Sequence, residues 1–381
     1  MLPRVSRARI HLDTITVRQQ PVPVFLIRSA TPGDLKSVQR LAAVLNTVNL
    51  PNDVPSLKSL LDVAQRSFAG RVTDPFEREI LFVMEDTATG RLVGTSQIIA
   101  QHGTRESPHI YFDVLDEERY SETIDRHFRH KVLRIGFDYD GPTEIGGLVL
   151  DPQYRGAPGK LGKQLSFVRF LYIAMHRTGF RDRVLAELLP PLSDDGKSSL
   201  WEALGRRFTD MDYIEADRVS KTNKEFIKNL FPSGLIYASL FDAAAQEVIG
   251  RVGPQTEGVK KMLEGVGFKA LGRIDPFDGG PHFEAKTDEI WPVTHARKAT
   301  CTVVDRRAIV DNAGESADGL VAFEPPRARV KKLGHFRALY SEFRFARGGK
   351  SVEIPTESAE LLGAAKGDKL WALPFARHVR M

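Results

Sequence analysis

The chain has 381 residues, 42% hydrophobic and 27% charged; that balance excludes a disordered polymer, and the length calls for two or three structural units rather than one core. Lys and Arg number 54 against 49 Asp and Glu, a net charge of +5, which suits an anionic ligand but forms no dense basic stripe for nucleic acid. The single cysteine, Cys301, excludes an internal disulfide, and no apolar run approaches the roughly 20 residues of a membrane span or the core of a signal peptide. A cytoplasmic protein is expected, with no membrane or nucleic-acid partner, and residues 1–25 read as a flexible extension.

Residues 25–28 form a short apolar strand pattern. A helix start follows: Thr31 can cap, Pro32 suits the first helical position, and Asp34 favours the positive end of the dipole. Leu35, Val38, Leu41, Ala42 and Leu45 then fall on one face of a 3.6-residue period. A second amphipathic helix is expected from about Ser56, with Leu57, Leu60, Leu61 and Ala64. Residues 80–84 and 92–99 flank Asp86-Thr-Ala-Thr-Gly90, the pattern of an antiparallel hairpin. Residues 103–142 are charged, weakly periodic and without assignment.

Residues 143–152 read as a strand with Gly146 and Gly147 at its centre, where glycine marks a bulge or a close ligand approach. A basic, glycine-rich loop over 153–162 leads into a helix over 163–176, whose inner face carries Leu165, Val168, Leu171, Tyr172 and Met175. A strand over 184–188 comes next. Strand, basic loop, helix and strand make a unit that binds phosphate at the helix N-terminus, where free amides and the dipole favour anions. Five residues separate Gly156 from Gly162, and Gln164 follows Lys163, so a Walker-type loop is excluded. A dinucleotide loop would follow the first strand of a parallel unit, and this one follows a hairpin. An ordinary basic loop that caps a helix remains, or an anion-binding loop formed by Arg155, Gly159, Lys160, Leu161, Gly162 and Lys163.

Helices are expected at 198–208, 224–231 and 256–264, and strands at 235–240 and 269–274. From Cys301 the pattern turns to short β runs, then strand, short helix, turn and strand through Leu373. A domain boundary near Asp305 divides a larger α/β domain, 26–305, from a small C-terminal β domain, 306–381. His127 and His130 form the closest histidine pair, but no ligand partners accompany them and no metal site is expected.

Ile27-Arg-Ser-Ala30, the 155–163 loop and Met262-Leu-Glu-Gly-Val-Gly-Phe268 resemble the GNAT superfamily of acyl-CoA N-acyltransferases. Longer segments narrow this to the arginine N-succinyltransferase family: Phe82-Val-Met-Glu-Asp86, Asp140-Gly-Pro-Thr-Glu144, Leu148-Val-Leu-Asp-Pro152, Arg169-Phe170, Ala186-Glu187, Pro254-Gln-Thr256 and Phe277-Asp-Gly-Gly-Pro281. The resemblance runs in order over residues 26–305, and 354–373 look like that family's small β domain. It implies a mixed α/β, GNAT-like domain with a β-barrel-like C-terminal domain, and succinyl transfer from succinyl-CoA to the α-amine of arginine. The 155–163 loop is then an acyl-CoA pyrophosphate loop. Acyl-CoA is a co-substrate, with no permanently bound cofactor, and pairing with itself or with a related subunit is expected.

An amine attacks a thioester directly, so no Ser or Cys nucleophile is needed and no G-x-S-x-G elbow is present. By analogy with the family, Leu148 contacts CoA, and the flanking Val149 and Leu150 belong to the same strand. Glu144, Glu187, Asp212 and Asp278 are candidates to hold a guanidinium. The family places a histidine at 253 and an arginine near 189; Gly253 and Leu189 stand there instead. The base must then lie elsewhere, and His282 and Glu144 are the candidates. A different amine or acyl donor, or a non-catalytic subunit paired with a His-bearing relative, are the alternative readings.

Overall fold

A computed structural model describes residues 25–45, 50–105, 107–191, 197–220, 223–310 and 316–375. Apart from Phe25, the expected N-terminal extension lies outside the described residues. The strands are β1 (Phe25–Ser29), β2 (Glu79–Asp86), β3 (Arg91–Ile99), β4 (His109–Ser121), β5 (Arg126–Asp138), β6 (Thr143–Leu150), β7 (Arg183–Glu187), β8 (Ile236–Tyr237), β9 (Lys269–Ile274), β10 (Pro281–Lys286), β11 (Arg297–Val304), β12 (Ser316–Phe323), β13 (Arg337–Phe345), β14 (Ser351–Pro355) and β15 (Lys369–Pro374). Three helices matter most for the site: α1 (Leu35–Leu45), α2 (Val54–Phe68) and α3 (Leu161–Met175).

The strands form one continuous system in the order β12-β15-β11-β14-β13-β1-β2-β3-β6-β7-β10-β9-β4-β5-β8. Pairing of β12 with β13 closes the first five into a small barrel, and β1 joins that barrel to the larger sheet. β11 starts at Arg297, ahead of residue 306, and pairs with both β14 and β15. The mixed α/β architecture with a closed C-terminal barrel is therefore as the resemblance implied.

Helices cover both faces of β2 and β3. α3 buries Leu165, Phe170 and Leu171 with Phe82, Met84 and Ile98. α1 and α2 bury Leu41, Leu57 and Leu61 with Leu81, Val83 and Val149 on the other side. Burial on both faces explains why residues 80–84 are apolar without alternation. Local chemistry fixes the helix starts: at the expected first turn the Asp34 carboxylate accepts from the Thr31 amide at 2.8 Å, and α2, expected from about Ser56, starts earlier because Asp53 caps it by accepting from the Ser56 amide at 2.9 Å.

The unassigned stretch 103–142 holds the longest hairpin among the described residues, two 13-residue strands, β4 and β5. β4 is buried only over its first four residues and largely exposed beyond them, so no two-residue apolar alternation marks it. The 235–240 strand shrinks to β8, followed by a 3-10 turn. The 198–208 helix breaks at Leu204 into Ser199–Ala203 and Gly205–Thr209. These short pieces surround a second core in which Trp201 stacks on Phe277 at 4.9 Å. Tertiary packing overrides helical propensity there.

Candidate active site

The site begins where β6 and β7 part. These neighbours are parallel and pair only at Thr143↔Val184 and Glu144↔Leu185. Past Glu144 the β7-facing edge of β6 opens onto a cleft. On its other edge β6 pairs with β3 as Thr95↔Val149 and Gln97↔Gly146, which leaves Gly147 and Leu148 opposite Ser96 alone. This is the expected bulge, and Gly147 holds it at φ 53°. A Cβ there would lie 2.9 Å from Gln97 Oε1. The Leu148 and Leu150 side chains pack on the α3 side, while Val149 points into the α1–α2 core.

The basic loop ends at Lys160, which takes the left-handed conformation at φ 58° and leaves α3 without a side-chain cap. The Gln164 amide bonds back to the Lys160 carbonyl at 3.0 Å. The amides of Leu161, Gly162 and Lys163 precede it and have no intrahelical acceptor. Gly162 has open space where a Cβ would sit, and Gly159 sits at φ 98°. Arg155 is exposed at the loop. The lysines turn elsewhere: Lys163 Nζ donates to the Phe375 carbonyl at 2.7 Å, and Lys160 Nζ lies 3.5 Å from Asp318. Both therefore serve the contact with the barrel, while the amides of residues 161–163 are left unused by α3 itself.

A cavity of about 1010 Å³ lies below the splay, lined by Gly146, Gly147, Leu148 and a set of charged side chains. Glu144, 1% exposed, sits with Oε2 2.7 Å from His102 Nδ1. The His102 amide bonds to the Pro142 carbonyl at 2.8 Å, which holds this loop residue beside the start of β6. His102 lines the cavity and keeps a fifth of its side chain exposed. No sequence pattern flagged it: it lies between the expected 92–99 strand and the unassigned stretch, outside every motif.

His282 sits opposite Glu187 across β10 and β7, with Nε2 3.4 Å from Glu187 Oε1. His109 Nε2 lies 3.8 Å from the same oxygen. Burial drives the His282 pKa down to about 3, against the pull of Glu144. Burial, then His102 and His282, hold His109 well below the ordinary range. Both rings are therefore neutral. His282 is only 1% exposed and does not line the cavity, so it is poorly placed to meet a substrate amine. The donor atoms of His109, Glu187 and His282 lie within 4.8 Å of one another, a spacing that a divalent ion could bridge. That cluster was invisible in sequence, since its members come from three strands. His127 and His130 sit instead on the largely exposed part of β5.

Carboxylates gather in the same cavity. Burial, then Glu144, raises Glu187 well above the usual carboxylate range. Burial, then Asp275, does the same to Asp278. Burial pushes Glu79 to about 7, partly opposed by a hydrogen bond from Gln97. Asp217 and Asp275 also line the cavity, as does the cationic Lys224. Asp278 also accepts from the Gly280 amide at 2.7 Å. Asp212 is exposed and lies outside the cavity; it caps the helix Tyr213–Ser220, accepting from the Glu215 amide at 2.8 Å.

The family model for the arginine N-succinyltransferase beta subunit matches residues 25–292. An arginine N-succinyltransferase of Yersinia pseudotuberculosis is 32% identical over 352 residues, 90% of this chain and 96% of the relative. Arginine N-succinyltransferase subunit alpha of Pseudomonas aeruginosa is 31% identical over 348 residues, 90% of this chain and 98% of the relative. The solved structure of the arginine/ornithine succinyltransferase subunit AI from Pseudomonas aeruginosa superposes with a TM-score of 0.74 at 29% identity, covering 92% of this chain and 99% of that one.

Proposed function

The chain belongs to the arginine N-succinyltransferase family and is an acyltransferase with acyl-CoA as co-substrate; from that premise we propose that it transfers succinyl from succinyl-CoA to the α-amine of L-arginine. The observation that carries the arginine reading is the cavity beneath the splay. Glu187, Asp275 and Asp278 converge there with raised carboxyl pKa values. A guanidinium would ionise these groups and pair with them, relieving their mutual repulsion.

The chemistry follows from placement. The α3 N-terminus offers amides and a positive dipole end to the pyrophosphate. The unpaired edge of β6 offers backbone groups to the pantetheine arm and, near Leu148, a donor to the thioester oxygen as it becomes an oxyanion. His102, oriented by Glu144 through Nδ1, takes the ammonium proton. The free amine attacks the carbonyl carbon, the C–N bond forms, and the C–S bond breaks as thiolate leaves with a proton. No side chain bonds covalently to the acyl group. We place the pair of His102 and Glu144 in the role that the family gives to a histidine at 253.

A second reading, a non-catalytic subunit that binds CoA beside a related chain, is favoured by Gly253 itself. The subunit names among the relatives support association with a related chain. Thiol release by the purified protein, screened with succinyl-, butyryl- and acetyl-CoA against arginine, ornithine and lysine, tests both. Fastest release is expected with succinyl-CoA and arginine. Absence of release with every pair, alongside measurable CoA binding, would favour the subunit reading.

A further inference from the structure

Arg169 is a charged group in the cavity that the reaction above leaves unused. It lies on α3, its residue only 2% exposed, and it lines the cavity beside Gly146, Gly147 and Leu148. Its Nε donates to the Ser166 carbonyl at 3.2 Å. One Nη donates to Ser166 Oγ at 2.8 Å and the other to the Gly146 carbonyl at 3.4 Å. These acceptors are all neutral. A guanidinium has five N–H donors, so two remain for a ligand. Burial lowers the pKa to about 9, which leaves the group charged at neutral pH. A buried cation without a carboxylate partner is costly, and proteins tolerate one where an anion arrives.

Position narrows the anion. Arg169 is eight residues into α3, about 12 Å along the axis from its first turn, so it is far from the pyrophosphate amides. It bonds the strand residue next to the bulge, where the thioester carbonyl is expected. The anion that reaches it belongs to the acyl chain. Resting on the succinyl-transfer reading, we propose that Arg169 binds the terminal carboxylate of a dicarboxylic acyl group and so selects succinyl-CoA over neutral acyl-CoAs of the same length.

Calorimetric titration of the full chain with succinyl-CoA and with butyryl-CoA, which has the same carbon count and no carboxylate, gives the test. Wild type should prefer succinyl-CoA by roughly 10- to 100-fold, the worth of a charge-assisted hydrogen-bond pair. R169M should bring the ratio to about 1 while keeping butyryl-CoA affinity, and R169K should retain part of the preference. A wild-type ratio near 1, or an R169M ratio like wild type, overturns the proposal. An R169M variant that keeps the ratio but loses discrimination between arginine and agmatine assigns the guanidinium to the amine substrate's carboxylate instead. The wild-type ratio is decisive even if R169M does not fold. Failure of the arginine reading would appear separately, as absent thiol release with arginine.

Discussion

The amide of Gly253 donates to the carbonyl of Leu189 at 2.8 Å. Thr256 Oγ1 bonds the same carbonyl at 3.0 Å, and Gln255 Nε2 bonds the Pro190 carbonyl at 3.3 Å. The two positions where the resemblance implies a histidine and an arginine are thus in direct contact. The 189–190 segment packs directly beside residue 253.

It follows that a histidine cannot simply be put back. A Cβ on Gly253 would lie 2.6 Å from the Pro190 carbonyl oxygen. G253H should lower stability by about 1–3 kcal/mol, the usual cost of overpacking, and should not raise turnover. Thermal denaturation and thiol-release assays on the same preparation check this. An unchanged melting temperature with higher activity would show that the segment yields easily and that a base is missing.

His102 and His282 should separate cleanly. H102A and E144Q should each lower kcat by roughly 10²–10⁴, as general-base loss does, and H102A should do so with little change in CoA affinity. H282A should keep turnover within about threefold, since a ring outside the cavity meets no substrate, although it should melt earlier. A full loss of turnover in folded H282A would return the base to that residue.

At the CoA loop, backbone rather than lysine should matter. G162E places a carboxylate in the first turn of α3, where the dipole favours it, so folding is preserved. The same charge repels the pyrophosphate, and CoA affinity should fall by on the order of tenfold. K163A should leave CoA affinity nearly unchanged and loosen the contact with Phe375. The reverse ranking in calorimetry would move the pyrophosphate off the amides.

The cavity carboxylates also make a pH prediction. Glu79 titrates at about 7 in the folded chain against an ordinary value of 4.5. The folded state therefore binds more protons between these values, and this group's contribution to stability falls as pH rises from 4.5 to 7. E79Q lacks that penalty. Its melting temperature relative to wild type should rise from pH 4.5 to pH 7.5, with other groups cancelling. A difference that stays constant across this range would show that Glu79 is ionised normally.

Much of the architecture was legible in the order of residues because its causes are local. Thr31 and Asp34 cap, Gly146 and Gly147 bend a strand, and apolar residues repeat at helical spacing along α1, α2 and α3. The resemblance then supplied the family and the barrel. The β4–β5 hairpin was not legible, since largely exposed strands leave no apolar alternation. Asp212 read as a substrate group because a carboxylate looks the same in sequence whether it caps a helix or faces a pocket.

The sequence by itself determined the fold family, the bulged strand and the loop before α3, since each depends on residue types at fixed short spacing. Only the tertiary structure decided which polar groups share the cavity. His102 meets Glu144 through a backbone bond from its loop to Pro142. Glu187 and His282 meet through the β7–β10 register. Burial, which no linear pattern states, then neutralises His282 and raises the carboxylates, and the packing of α3 on β6 gives Arg169 only neutral acceptors among the described residues.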